Sequence, residues 1–300
     1  MSATEADLQA PPAPSALPVR VGKALMTFAR RAPMSAFWGV IALSILIMAI
    51  TAPMIAPYDP VKSDFRAMSK PPYEKHILGT DQIGRDILSR VIHGSRASLT
   101  VAISAVLLGT TVGALWGMAS GYFGGRFDII SQRILEFLQS FPDLILAMAI
   151  AMALGAGTGT VIVAIAITRI PFGGRVIRAV ALSLKELQYV EAARGLGASH
   201  MRMMLRHILP QCVAPYLILA TTHLGVAIII EAALGFLGVG IPPPTPTWGN
   251  MLADALNAGL IPPWWLVLFP GIAISVTVLA FNLLGDGIRD VLDPRLRGAV

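Results

Sequence analysis

Two kinds of residue in this chain could do chemistry. The first are ionisable side chains set within or beside long apolar runs: Glu136, Asp143, Arg169, His223, Glu231 and Asp286. A charge in the middle of a bilayer costs about 3 kcal/mol or more, so such a residue either faces a polar path for solute or closes an interhelical ion pair. Arg169 and Glu231 lie deepest in their runs and are the candidates for a translocation path, with both readings open. The second kind is the segment Glu191-Ala192-Ala193-Arg194-Gly195-Leu196-Gly197 and the basic run that follows it to Ile208-Leu209-Pro210. This polar stretch of about thirty residues separates two apolar runs, each long enough to span hydrocarbon. Such a stretch either rests on lipid headgroups or enters a groove on a partner.

Other chemistry finds no support. There is no GxxxxGK[ST] phosphate loop, no HExxH, no nucleophile elbow and no metal-ligand spacing, so no bound cofactor is expected in this chain. Gly155, Gly157 and Gly159 sit in a short loop between apolar runs, which does not suit a dinucleotide fingerprint. The single cysteine, Cys212, excludes an intramolecular disulfide.

The elements that must position these residues follow from composition. Apolar residues make up 55% of the 300 residues and charged residues 13%, too little charge for a soluble surface. Six runs reach spanning length: 36–56, 98–121, 134–154, 161–180, 213–238 and 264–285. Their Ala, Ile, Leu, Val and Gly content predicts helices, giving an all-α polytopic membrane protein. The expected organisation is a proline-rich, basic tail over 1–33, a first span and outer loop over 34–97, a core over 98–290 and a tail over 291–300. In the second run Gly109, Gly113, Gly117 and Gly121 fall four apart, a helix face that a neighbouring backbone can approach closely. In the third, Phe141-Pro142 ahead of Asp143 predicts a bend.

Charge sets the expected orientation. With the N-terminus inside, fifteen cations fall on inner segments and seven on outer ones, all seven in the first loop. That bias favours both termini in the cytoplasm and places 181–212 there too. The net charge of +6 sits in loops beside spans, where anionic lipid accounts for it without nucleic acid.

Within 181–212 the residue types predict two short helices at an angle. Helix formers continue from Arg175 to Leu196, Gly197 breaks them, and Ser199 is a candidate N-cap for a helix from His200 to Leu209 that ends by Pro210. Met201, Met204, Leu205 and Ile208 would share its apolar face.

This segment resembles the EAA loop of ABC importer permeases, whose pattern is EAA, three residues, Gly, nine residues, then Ile-x-Leu-Pro. Glu191-Ala192-Ala193, Gly197 and Leu209-Pro210 fall in register, and His207 stands where Ile is usual. The run His76-Ile77-Leu78-Gly79-Thr80-Asp81 with Gly84-Arg85-Asp86, together with Gly121-Tyr122-Phe123-Gly124-Gly125, Leu234-Gly235-Phe236-Leu237-Gly238 and Phe281-Asn282-Leu283-Leu284-Gly285-Asp286, is similar to the C-type subunit of dipeptide, oligopeptide, glutathione and nickel importers. The resemblance implies a type I importer permease fold of six transmembrane helices in the bacterial inner membrane. It further implies a homologous second permease subunit, two cytoplasmic ATPase subunits that hold the ATP and Mg, and an extracytoplasmic substrate-binding protein. Glu191, Ala192, Ala193, Gly197, Leu209 and Pro210 would be the ATPase-docking residues, and peptides the substrate, with glutathione or nickel as alternatives. A secondary transporter without an ATPase and a membrane scaffold are the rival classes. The outer loops, with Arg85 and a proline-rich stretch around Trp248, could receive the binding protein or simply cover the outer mouth.

Overall fold

The computed structural model describes residue 26, residues 28–30, residues 32–257 and 259, and residues 261–292. Most of the tail expected over 1–33 and nearly all of that over 291–300, with Arg295 and Arg297, lie outside these residues. Ten helices are numbered in chain order: α1 (Pro33–Ile55), α2 (Ile87–Phe123), α3 (Gly125–Gln139), α4 (Asp143–Leu154), α5 (Thr158–Lys185), α6 (Gln188–Gly195), α7 (His200–Met203), α8 (Leu209–Phe236), α9 (Trp248–Leu256) and α10 (Trp264–Leu292). No named strand occurs among the described residues, only isolated bridges such as Tyr73 with His76.

Among the described residues five helices are long and apolar enough to cross a membrane: α1, α2, α5, α8 joined to α7, and α10. The third expected span, 134–154, is not one rod. It divides between α3 and α4, which meet at 90° across Ser140–Pro142, so the described residues hold six candidate spans only if this bent pair counts as one. Pro142, with extended ψ of 132°, forms the corner from which α4 starts. The proline signalled the bend; its size comes from contacts that α3 makes elsewhere.

Caps fix several starts. Asp86 accepts from Ser89 N at 2.7 Å at the head of α2, and Thr247 accepts from Asn250 N at 3.1 Å at the head of α9. Each satisfies an orphan donor of the first turn. Gly124 (φ 67°) lets the chain turn from α2 into α3.

The core is built on α2 against α5. Gly109, Gly113, Gly117 and Gly121 lie on the α2 face that meets α5. A Cβ added to Gly113 would stand 3.0 Å from Gly174 N, and one added to Gly121 2.7 Å from Arg178 O. Where lipid offers no hydrophobic drive between helices, this close approach supplies the packing. α8 packs on both α2 and α10, and α1 lies outermost against α2 and α10. At one end of this bundle stand α6 and α7. At the other, the 57–86 loop meets α9.

Candidate functional site

The segment between α5 and α8 is an angled pair, built differently at three points from its sequence reading. α5 stops at Lys185, and Glu186-Leu187 break the helix before α6 starts at Gln188. Helix does not end at Pro210. Residues 200–236 run as one helical stretch, with a π-turn over Met204–Ile208 in which Leu209 N–H reaches Met204 O. This wider turn immediately precedes Pro210, which has no N–H to give and whose ring crowds the carbonyl four residues back. The buried face of the second helix is also rotated. Met203 and Ile208 are fully buried and Met204 nearly so, whereas Met201 and Leu205 are exposed. The π-turn and the docking of α7 against the ends of α2 and α5, which periodicity alone does not encode, select Met203.

At the corner, Gly197 has φ 83° and open space around a notional Cβ. Ala198 N donates to Ala193 O at 3.1 Å and Gly197 N to Arg194 O at 3.0 Å, a Schellman closure of α6. Ser199 caps α7, accepting from Arg202 N at 3.4 Å. Ala192 is exposed and Ala193 half-buried, Glu191 and Pro210 are exposed, and Leu209 is half-buried. Glu191 borders a polar recess of about 300 Å³ that it shares with Tyr122, Lys185, Glu186 and Arg194.

The underside of this pair is fused to the bundle. Val190, Met203, Met204 and Ile208 form one core with Met118 and Tyr122 of α2 and Ile177 and Ala181 of α5. Burial of each large apolar side chain there contributes about 2 kcal/mol. Tyr122 Oη adds a hydrogen bond to His200 Nδ1 at 2.9 Å. The outer surface is uncovered and mixed: Leu196 is 90% exposed, Met201 60%, and Leu187, Tyr189 and Leu205 near half, beside exposed Glu191, Arg194, Arg202 and Arg206.

The two path candidates are both 2% exposed. Arg169 of α5 pairs with Asp143 at the head of α4, donates to Thr168 Oγ1 at 3.1 Å and lies 5.0 Å from the Phe172 ring centre. Phe172 in turn meets the ring of His223 on α8 at 5.3 Å. Glu231 Oε2 has no hydrogen-bond partner among the described residues. The structure thus joins Arg169 with Asp143 but places Glu231 in no pair with it. Below the elbow, Asp128 of α3 takes two hydrogen bonds from Arg178 of α5, both at 2.6 Å, and Arg175 donates to Gln139.

The opposite end brings Asp81 and Arg85 of the first-loop motif together with Arg90 of α2 and Asp254 of α9, a residue that no motif contained. Asp254 of α9 accepts from Arg85 at 3.0 Å and Arg90 at 3.1 Å, Asp81 accepts from Arg85 Nε at 2.5 Å, and Gln82 donates to the Asp254 carbonyl. Trp248 is fully buried, donating to Val91 O at 3.0 Å, so it packs α9 against the first turns of α2 and offers no contact surface. Among the described residues no cluster of His, Cys, Asp and Glu could hold a metal.

Residues 87–298 match the family model described as "Binding-protein-dependent transport system inner membrane component", and residues 29–72 match "N-terminal TM domain of oligopeptide transport permease C". The chain belongs to the binding-protein-dependent transport system inner membrane component family. This permease is 40% identical over 277 residues to the probable D,D-dipeptide transport system permease protein of Escherichia coli (strain K12), covering 92% of this chain and 93% of that one. It is 43% identical over 270 residues to the glutathione transport system permease protein of E. coli (strain UTI89 / UPEC), covering 90% and 89%. It is 40% identical over 263 residues to the di/tripeptide transport system permease protein of Pseudomonas aeruginosa, covering 86% of each. An inward-facing methionine ABC transporter, MetNI, shares its fold with a TM-score of 0.54 at 19% identity, over 68% of this chain and 96% of that one.

Proposed function

We propose that this permease is one half of the membrane channel of an ATP-driven peptide importer, worked from the cytoplasm through α6 and α7. One observation carries this reading: the angled pair is welded to the bundle by Val190, Met203 and Ile208 on one side and presents Leu196, Met201 and Leu205 uncovered on the other. A headgroup-resting hairpin would turn those apolar residues toward lipid. Here they surround the tip of a sharp corner, a shape suited to a groove on a protein partner. Glu191, Ala192, Ala193, Gly197, Leu209 and Pro210 build the element. Glu191 lines the polar recess, Ala192 permits close approach, Gly197 sets the corner, and Leu209 and Pro210 join it to α8.

The partners are two cytoplasmic ATPase subunits holding ATP and Mg, a homologous second permease subunit and an extracytoplasmic binding protein. Both termini and the α6–α7 pair face the cytoplasm of a bacterial inner membrane, and residues 98–290 form the core. ATP-driven closure shifts the bundle between inward- and outward-facing states to the extent that the docked pair is favoured in one of them. Di- or oligopeptides are the substrate class, supported by the D,D-dipeptide and di/tripeptide permeases to which the chain is similar; the glutathione relative at 43% identity supports the alternative cargo.

The test is Leu196→Asp, with Glu191→Lys beside it, in the co-expressed complex. We expect loss of ATPase subunits on purification and at least a tenfold drop in uptake, with this chain still folded and inserted. Full ATPase retention and full uptake in both variants would remove the docking role.

A further inference from the structure

α1 turns apolar side chains outward along its length: Leu43, Ile47, Ile50 and Met54 are all exposed. Its hydroxyls need nothing outside the helix, since Ser44 donates to Val40 O at 2.8 Å and Thr51 to Ile47 O at 2.7 Å. A helix surface of this kind suits acyl chains rather than water. Between α1 and α2 runs a groove of about 430 Å³, walled by Leu46 and Ile50 of the one and by Arg96, Leu99 and Ile103 of the other. With α1 as one wall, it opens on lipid.

Arg96 is the one charged side chain of this groove. Arg85 and Arg90, nearer the end of the bundle, are clasped by Asp81 and Asp254, whereas Arg96 is exposed and has no ion-pair partner among the described residues. The polar groups beside it are already engaged: Thr100 Oγ1 donates to the Arg96 carbonyl at 2.6 Å, and His93 Nδ1 to Ser89 O at 3.0 Å. Depth makes the isolation costly. Tyr58 N–H, three residues past the end of α1, donates to Ser89 Oγ at 3.0 Å, which sets that end level with Ser89. Arg96 is seven residues further along α2, about 10 Å inside that level. Its Cα–Cβ bond tilts toward the start of α2, so the side chain sets out toward the headgroups and can snorkel to them. A cation at this depth is unfavourable in hydrocarbon and is relieved by a lipid phosphate. From Arg96 the groove continues past Ile103 and Leu46 toward the bilayer centre, the course of an acyl chain whose head lies at the cation.

We propose that this groove holds one anionic phospholipid, of the phosphatidylglycerol class, with its phosphate on Arg96 and an acyl chain against Leu46, Ile50 and Ile103. A zwitterionic head carries its own ammonium beside the phosphate and gains less from Arg96, which favours the net-anionic class. The permease reading enters only in assigning this lipid to the outer leaflet.

The complete complex is delipidated in detergent and titrated with phosphatidylglycerol or phosphatidylethanolamine of equal chain length, with bound lipid counted by native mass spectrometry. The parent should hold phosphatidylglycerol about fivefold more tightly than phosphatidylethanolamine. Arg96→Gln should lose one bound phosphatidylglycerol and the preference with it, and Arg96→Lys should keep both. Ile50→Trp, which leaves the charge and fills the lip of the groove, should also lose one phosphatidylglycerol. An unchanged lipid count in either Arg96→Gln or Ile50→Trp would overturn the proposal; should Arg96→Gln fail to assemble, Ile50→Trp decides alone. Displacement of the lipid by inorganic phosphate would give the site to a free anion instead. A short cross-link from Ile50→Cys, in a Cys212→Ala background, to the second permease subunit would give the groove to that subunit. ATP-dependent uptake by the parent complex tests the permease reading separately, whatever the lipid counts show.

Discussion

Arg169 shows what a buried charge demands of its neighbours. Its guanidinium is held by Asp143, Thr168 and the Phe172 ring, so removing one partner strands the other inside the bundle. Asp143→Ala should cost about 3–5 kcal/mol, read as a lowered unfolding temperature of the detergent-solubilised complex, whereas Asp143→Leu with Arg169→Met should recover most of it. Gly197 poses the opposite problem, since its corner is empty and only its φ of 83° resists substitution. Gly197→Ala should therefore cost about 1 kcal/mol through the backbone alone, and Gly197→Asn less, both readable as ATPase retention on washing at rising salt. The sequence exposed Gly197, Ser199 and the buried position of Arg169, because turn chemistry and apolar context are local. It could not pair Arg169 with Asp143, twenty-six residues away across the loop between α4 and α5, nor bring Asp254 to Arg85 and Arg90.

At the scale of elements, helix phase decides which face of a helix docks and which stays free. Periodicity placed Met201, Met204, Leu205 and Ile208 together, but the π-turn before Pro210 shifts the register and buries Met203. The two faces of α7 and the π-turn should then respond differently. Ile208→Ala should destabilise the permease by about 2–5 kcal/mol in thermal unfolding. Met201→Ser should leave that unfolding unchanged and weaken ATPase retention severalfold. Matching effects of the two substitutions would contradict the assignment of faces. The α3–α4 elbow was legible as a proline and illegible as a right angle, because the ties that hold it, Asp128 to Arg178 and Gln139 to Arg175, join separate helices.

Across the whole molecule, the ends of the bundle carry different devices. One end is a corner with an uncovered apolar tip fused to α2 and α5. The other is a loop clasped to α9 by Asp254, Arg85 and Arg90. Asp254→Ala should loosen only the second: first-loop proteolysis should speed up severalfold while ATPase retention stays at the parent level. Between the ends run α2 and α5, packed backbone to backbone along Gly109, Gly113, Gly117 and Gly121. Gly117→Leu, whose side chain would run into the Gly174 backbone, should abolish insertion of a stable complex, measured as loss of folded protein from membranes.

The central claim is that this permease moves solute only when a separate ATPase drives its corner. The direct measurement is uptake of a labelled dipeptide into proteoliposomes holding the binding protein and both permease subunits, with and without the ATPase subunits and ATP. Accumulation against the gradient is expected only when ATPases and ATP are both present. Accumulation without them would contradict the account.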